Sequence, residues 1–167
     1  DLSKICNVRL TDIATIEDAL ITIHELGKEL GVAENADQMV SRLTQIMEER
    51  PDEPPLRTAY FIWRDPWMTI GRDTYIHDVM KHWNLTNIFE DQLRYPKITL
   101  HDLADRNPEL ILLSSEPFPF KERHAAEVEK ALPGVRVLLT EGEWFSWYGS
   151  HMLHSFNRLN VWRKAIA

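Results

Sequence analysis

A single cysteine, Cys6, leaves this 167-residue chain without an intrachain disulfide and without the thiol clusters of zinc or iron–sulfur sites. Glycine is scarce too: there are six, and neither Gly-x-Gly-x-x-Gly nor Gly-Lys-Ser/Thr occurs, so no loop is built to cradle phosphate. The Gly-x-Ser-x-Gly elbow of serine hydrolases is also missing. Nineteen basic residues against 26 acidic give a net charge of −7 with no Lys/Arg run, which excludes a nucleic-acid surface. Long apolar runs are absent; the run 110–113 falls far short of the roughly 20 residues of a membrane-spanning helix. The N-terminus carries no basic-then-apolar signal sequence, so an exported protein is expected here in mature or shortened form.

With 44% hydrophobic and 27% charged residues the chain is expected to fold around a real core. Aromatic residues are plentiful: six Trp, six Phe and four Tyr. Their positions decide the reading.

Residues 5–10 alternate weakly and read as a short strand or an extended entry. Thr15 with Asp18 three residues on is a capping box that starts a helix, which Gly31 closes. A second helix, 33–50, carries Ala36, Met39, Val40, Leu43, Ile46 and Met47 on one stripe and is expected to be an unbroken strut about 27 Å long. Three prolines in 51–55 end it and mark the boundary, 51–57, between these connecting helices (1–50) and the rest (58–167). Strand, loop and helix then recur. Strands are expected at 58–63, 110–114 and 135–139, and helices from Asp73, at 121–132 and at 150–166, with a shorter helix capped by Thr99 and Asp102. The alternation predicts an α/β fold: a three-layer αβα lobe with a mostly parallel sheet, preceded by the long connecting helix.

Ligands of open α/β sheets bind beyond the carboxyl ends of the strands. The three loops there hold Trp63, Trp67, Phe118, Phe120, Trp144, Phe145, Trp147 and Tyr148, and Tyr95 comes from a fourth loop. Any one of them alone reads as a side chain folded back onto the core; as a group, stiffened by Pro66, Pro117 and Pro119, they read as a binding edge. Trp83 and Trp162 read as packing. The pair His151 and His154, with no third ligand nearby in sequence, reads as helix surface rather than a metal site. Glu116 and Glu143 share the edge but lack a nucleophile; an α/β hydrolase or isomerase using them with His151, and a protein-interaction module, are the alternatives.

Trp63-x-Asp65-Pro66-x-Met68-Thr69-x-Gly71-x-Asp73-Thr74-Tyr75-Ile76-His77-Asp78, then Asn87-Ile88-Phe89, Tyr95-Pro96-x-Ile98-Thr99, Asn107-Pro108-Glu109-Leu110-Ile111 and Ser114-Ser115-Glu116-Pro117-x-Pro119-Phe120 resemble the C-terminal lobe of the helical-backbone (class III) substrate-binding proteins of ABC importers, the cobalamin, haem and ferric-siderophore receptors. The stretch from Thr15 to Gly27 and the helix after it resemble that family's connecting region. The resemblance implies a periplasmic or membrane-anchored extracytoplasmic protein that does no chemistry. It implies a metal chelate as cargo, with no resident cofactor and no metal ligand from the protein; were one used, it would be Tyr95, Tyr148 or His151. The implied ligand contacts are Trp63, Arg64, Trp67, Met68, Tyr95, Glu116, Phe118, Trp144, Phe145, Trp147 and Tyr148, with Arg64 and Arg72 pairing ligand carboxylates or catecholates. ABC permease subunits are the implied partners. At the permease-docking position of this lobe, where the family commonly carries Glu, stand His101 and Asp102. The residues before 11 correspond to no more than the last strand of the family's N-terminal lobe. The chain is therefore expected to act as half of a two-lobed receptor and to self-associate.

Overall fold

The computed structural model describes residues 2–167; Asp1, the first residue of the expected N-terminal segment, lies outside them. The elements are α1 (Ile16–Glu29), α2 (Ala33–Glu48), β1 (Leu56–Trp63), β2 (Met68–Thr69), α3 (Tyr75–His82), β3 (Leu85–Asn87), α4 (Leu100–Asp105), β4 (Leu110–Ser114), α5 (Glu122–Ala131), β5 (Arg136–Thr140), α6 (Glu143–Ser146) and α7 (Met152–Ala165). Short 3₁₀ turns occupy Leu2–Lys4 and Gly149–His151.

The sheet runs β2-β1-β4-β5. Strands β1, β4 and β5 are parallel, with Tyr60 opposite Leu112 and Leu112 opposite Leu138. The far flank of β1 is divided: β3 runs parallel beside 56–58 and β2 antiparallel beside Phe61 and Trp63. Side chains alternate between faces, yet β4 is buried along its whole length because helices cover both sides. Tyr60, Ile62, Leu110 and Leu112 join one core with residues of α1, α2, α3 and α7; Ala59, Phe61, Ile111 and Leu113 join the other with Leu103 of α4 and Val128 of α5. This is the three-layer αβα lobe with a mostly parallel sheet that the alternation of elements predicts.

The capping box of α1 forms as read: Thr15 Oγ1 accepts from Asp18 N at 3.0 Å, and Asp18 Oδ2 accepts from Thr15 N at 2.9 Å. Gly31, at φ +72°, turns the chain into α2. A Cβ on Gly27 would lie 2.2 Å from that of Ala36, so glycine is what lets α1 and α2 approach this closely. Helix α2 is unbroken and ends two residues before the expected end at 50. Its Leu43 and Ile46 enter the first core beside Trp83 and Phe156.

At the amino end of β1 the proline-rich segment is pinned by Arg163, whose buried guanidinium donates from Nε to Trp83 O at 2.9 Å and from Nη2 to Pro54 O.

Of the two readings of residues 5–10, the structure takes the extended entry. They form no strand; Ile5 and Leu10 are 82% and 90% exposed, and among the described residues no neighbouring strand offers them a ladder. Arg9 instead pairs with Glu25 and Glu29 of α1.

Candidate functional site: an aromatic edge

Because β1, β4 and β5 are parallel, their carboxyl ends at Trp63, Ser114 and Thr140 share one edge of the sheet. On one side of it the rings form a chain. Trp63 at the end of β1 meets Phe118 edge-on at 5.6 Å, Phe118 meets Phe120 at 4.8 Å, and Phe120 stacks on Trp67 at 5.9 Å. Trp67 also packs on Phe61, so the outer rings rest on the second core. Phe120 is buried, Phe118 and Trp67 are half-buried, and Trp63 is 40% exposed.

On the other side, α6 sorts the aromatics by helical phase. Phe145 turns fully inward against Tyr60 and Trp162, at 5.2 and 5.9 Å, and presents no surface to a ligand. Trp147 turns outward, 49% exposed, against His151, and Tyr148, 51% exposed, lies edge-on to Tyr75. Between the two sides stands Glu116. Its Oε1 accepts from Trp147 Nε1 at 2.5 Å and from Ser146 Oγ at 3.0 Å.

Backbone contacts hold these loops together. Ser115 N donates to Thr140 O at 2.9 Å, and Gly142 N donates to Ser115 Oγ at 2.9 Å. Underneath, Tyr60 Oη donates to Ser114 Oγ at 3.1 Å, and Ser114 Oγ in turn donates to Glu116 O. Burial pushes the Tyr60 and Tyr75 phenols above their ordinary values, so both are neutral. Tyr75 Oη and Thr140 Oγ1, both buried at this end of the sheet, have no hydrogen-bond partner among the described residues.

The other expected contacts are placed differently. Arg64 lies over Trp67, its Cζ 5.3 Å from the ring centroid, and its guanidinium is engaged by Glu127, at 3.0 Å from Nε and 2.7 Å from Nη2, and by Asp65. Arg72 donates to the carbonyls of Glu90 and Asp91 at 3.4 and 3.1 Å. Arg64 is thus engaged by two carboxylates, whereas Arg72 is exposed and makes both of these bonds through Nη1. Met68 is half-buried against the first core. Tyr95 sits in the segment that flanks β2 on the side away from β1, where Thr69 N donates to Pro96 O at 3.1 Å. Trp144 faces β5, where it lines a groove of about 290 Å³ with Leu139, Thr140 and Trp162. His101 and Asp102 are exposed on the first turn of α4; Asp102 Oδ2 caps that helix, accepting from Thr99 N at 2.8 Å, and this bonding holds its carboxyl below the usual range.

His151 Nε2 is 3.5 Å from Glu143 Oε2 and its ring 5.7 Å from that of His154. Among the described residues no group of three or more His, Cys, Asp or Glu side chains is arranged to hold a metal ion. Ser146 Oγ bonds to Glu116 and to Gly142 O, not to His151, so this hydroxyl is not joined to a histidine base. Ser115, Gly142 and Ser146, which fix Glu116 and Trp147, escaped the sequence reading; their signal was the pair Ser114-Ser115 and Gly142-Glu143 facing each other at the ends of adjacent strands.

No family model matches the chain, and no curated protein matches its sequence. Solved structures match its fold. A possible iron-binding, periplasmic solute-binding protein from Staphylococcus epidermidis is 17% identical with a TM-score of 0.76, over 92% of this chain and 64% of that one. The periplasmic vitamin B12 binding protein of Vibrio cholerae is 16% identical with a TM-score of 0.76, over 98% and 67%. A periplasmic heme-binding protein from a Roseiflexus species is 12% identical with a TM-score of 0.71, over 91% and 64%. The chain thus spans about two thirds of the length of these proteins, and over that span it has the α/β fold of periplasmic solute-binding proteins.

Proposed function

We propose that this chain is a ligand-binding lobe, with its connecting helices, of the extracytoplasmic solute-binding component of an ABC importer, and that its cargo is a metal chelate: a corrinoid, haem or ferric siderophore. It binds and releases without chemistry. The observation that carries this reading is the edge itself: Trp63, Trp147 and Tyr148, each 40–51% exposed, share it with a carboxylate fixed by Trp147 and Ser146. They stand where open α/β sheets bind ligands. Exposed rings on a braced platform bury large area at small ordering cost when a flat macrocycle or chelate covers them. The neighbours of this fold named above include binders of vitamin B12 and heme.

In this reading α1 and α2 lead in from a second lobe that closes over the edge, residues 58–167 form the lobe described here, and His101 and Asp102 on the exposed turn of α4 face the permease.

Titration with cyanocobalamin, haemin and a ferric tris-hydroxamate, read by tryptophan quenching and visible absorbance, tests the proposal. The expected result is saturable quenching by at least one of them, weakened about tenfold or more by Trp147→Ala and by Trp63→Ala, as for other buried aromatic anchors. No saturable binding of any of the three at millimolar concentration would overturn it.

A further inference from the structure

The charges at the aromatic edge narrow the ligand class. A binding surface for a polyanion needs a cation whose donors are unspent. Arg64, the arginine closest to the rings, spends its donors on Glu127 and Asp65, and it does so through a forked contact that a ligand carboxylate would have to break. Arg72 donates from Nη1 alone to two backbone carbonyls and Arg94 pairs through Nε with Asp73; neither belongs to the three loops that carry Trp63, Phe118 and Trp147. The third loop, 141–148, contributes Glu141 and Glu143 and no Lys or Arg. Lys121, the cation of the second loop, begins α5 beyond Phe118 and Phe120, on the side of the edge away from Trp147.

At the centre, by contrast, Glu116 has an oxygen to offer. Both of its bonds fall on Oε1, from Trp147 Nε1 and Ser146 Oγ; Oε2 accepts no hydrogen bond from the described residues. A ligand lying on Trp63 and Trp147 excludes solvent from this oxygen. The carboxylate then requires a donor from the ligand, since a buried charge left unpaired costs far more than one that is hydrogen-bonded. The buried polar atoms nearby that lack hydrogen-bond partners among the described residues are the hydroxyls Tyr75 Oη and Thr140 Oγ1 and the ring nitrogen His151 Nε2, and the last of these faces Glu143 Oε2 at 3.5 Å rather than Glu116.

We propose, on the chelate-binding reading above, that this edge selects neutral or cationic ligands bearing N–H donors, such as amide-fringed macrocycles and hydroxamate chelates, and rejects anionic ones such as haem or ferric catecholates. Glu116 sets the selection: its free oxygen rewards a donor and repels a carboxylate, and its other oxygen fixes Trp147 in the orientation that the ligand meets.

The test compares cyanocobalamin, which is neutral and carries primary amides, ferrioxamine B, a cationic hydroxamate chelate, and haemin, whose propionates are anionic, on the wild-type chain and on Glu116→Gln and Glu116→Lys. Wild type is expected to bind cyanocobalamin or ferrioxamine B at least about tenfold more tightly than haemin, the scale of one hydrogen bond to a charged group. Glu116→Gln should narrow the gap while preserving the shape of the edge, and Glu116→Lys should reverse it in favour of haemin. Preference should weaken with added salt in wild type and in Glu116→Lys, but not in Glu116→Gln. Haemin binding tightest to wild type, or an order of affinities unmoved by Glu116→Lys, overturns the proposal and leaves the chelate-binding reading standing. Absence of saturable binding by all three overturns both.

Discussion

Trp147 Nε1 donates to Glu116 Oε1 at 2.5 Å, joining the loop after β5 to the loop after β4. A ring with half of its surface in water is thereby held by a carboxylate as well as by its contact with His151. Removing the acceptor in Glu116→Ala should free the indole. Steady-state anisotropy of Trp147, isolated by difference against Trp147→Phe, is expected to fall, with a stability loss of only about 1 kcal/mol because the pair is solvent-exposed. Unchanged anisotropy would assign the ring's orientation to its contact with His151, 5.2 Å away.

The same junction depends on a missing Cβ. At Gly142 a methyl would lie 2.4 Å from Ser114 Oγ and 2.5 Å from Glu116 Cγ, in the space through which Ser114 bonds to both Tyr60 and Glu116. Gly142→Ala should cost about 1–3 kcal/mol, as overpacking a fitted site does, and should separate Trp147 from Glu116. Urea denaturation measures the first and the Trp147 emission maximum the second. A variant as stable as the parent would show that the loop after β5 moves aside freely.

How much of this was legible in the sequence depended on whether the signal was local. The capping boxes at Thr15 and Thr99 are four-residue patterns and form as read. Strand β4 announces itself by a continuous apolar run between prolines. Strands β2 and β3, two and three residues long, exist because β1 offers them a flank, and nothing local marks them. The edge was legible as a set of aromatics, but which rings face out was not: α6 is a single turn, and only its packing on Tyr60 fixes the phase that turns Phe145 in and Trp147 out. For residues 5–10 the weak alternation left a strand and an extended entry open, and the choice between them depended on whether a partner strand was there to pair with.

Acid should loosen the fold through its paired carboxylates. Arg106 grips Asp91 with bonds of 2.5 and 2.9 Å, and this pairing holds the Asp91 carboxyl at about 2; Thr15 and the Ala14 amide lower Asp18, and Thr99 lowers Asp102. A carboxyl depressed in the folded state contributes stability above its unfolded value of about 3.9, and that contribution is lost as pH falls toward the folded value. The melting temperature should therefore be nearly level from about pH 7 to 5 and drop between about pH 4 and 2. Asp91→Asn should lower the plateau slightly and flatten part of the drop, while the contact of Arg106 with Phe89, at 4.5 Å, is kept. An identical acid slope in the variant would remove Asp91 from the account.

At the opposite end of the sheet from the rings, Arg163 supplies the donors for Trp83 O and Pro54 O inside the core. Burial lowers the pKa of its guanidinium, a sign that the charge is held there at a cost which those hydrogen bonds offset. Arg163→Met keeps the side chain's length and apolar stem but leaves two carbonyls without donors, so it should cost about 3 kcal/mol. Arg163→Lys retains the charge and one point donor and should cost less. The site's independence of this pin is also testable. Eight residues of β1 at about 3.3 Å each separate Pro54 from the ring edge, so folded Arg163→Met should keep the parent's ligand affinity while its urea midpoint drops. If affinity falls together with stability, the two ends of the sheet are coupled, and the edge is less rigidly braced than its hydrogen bonds imply.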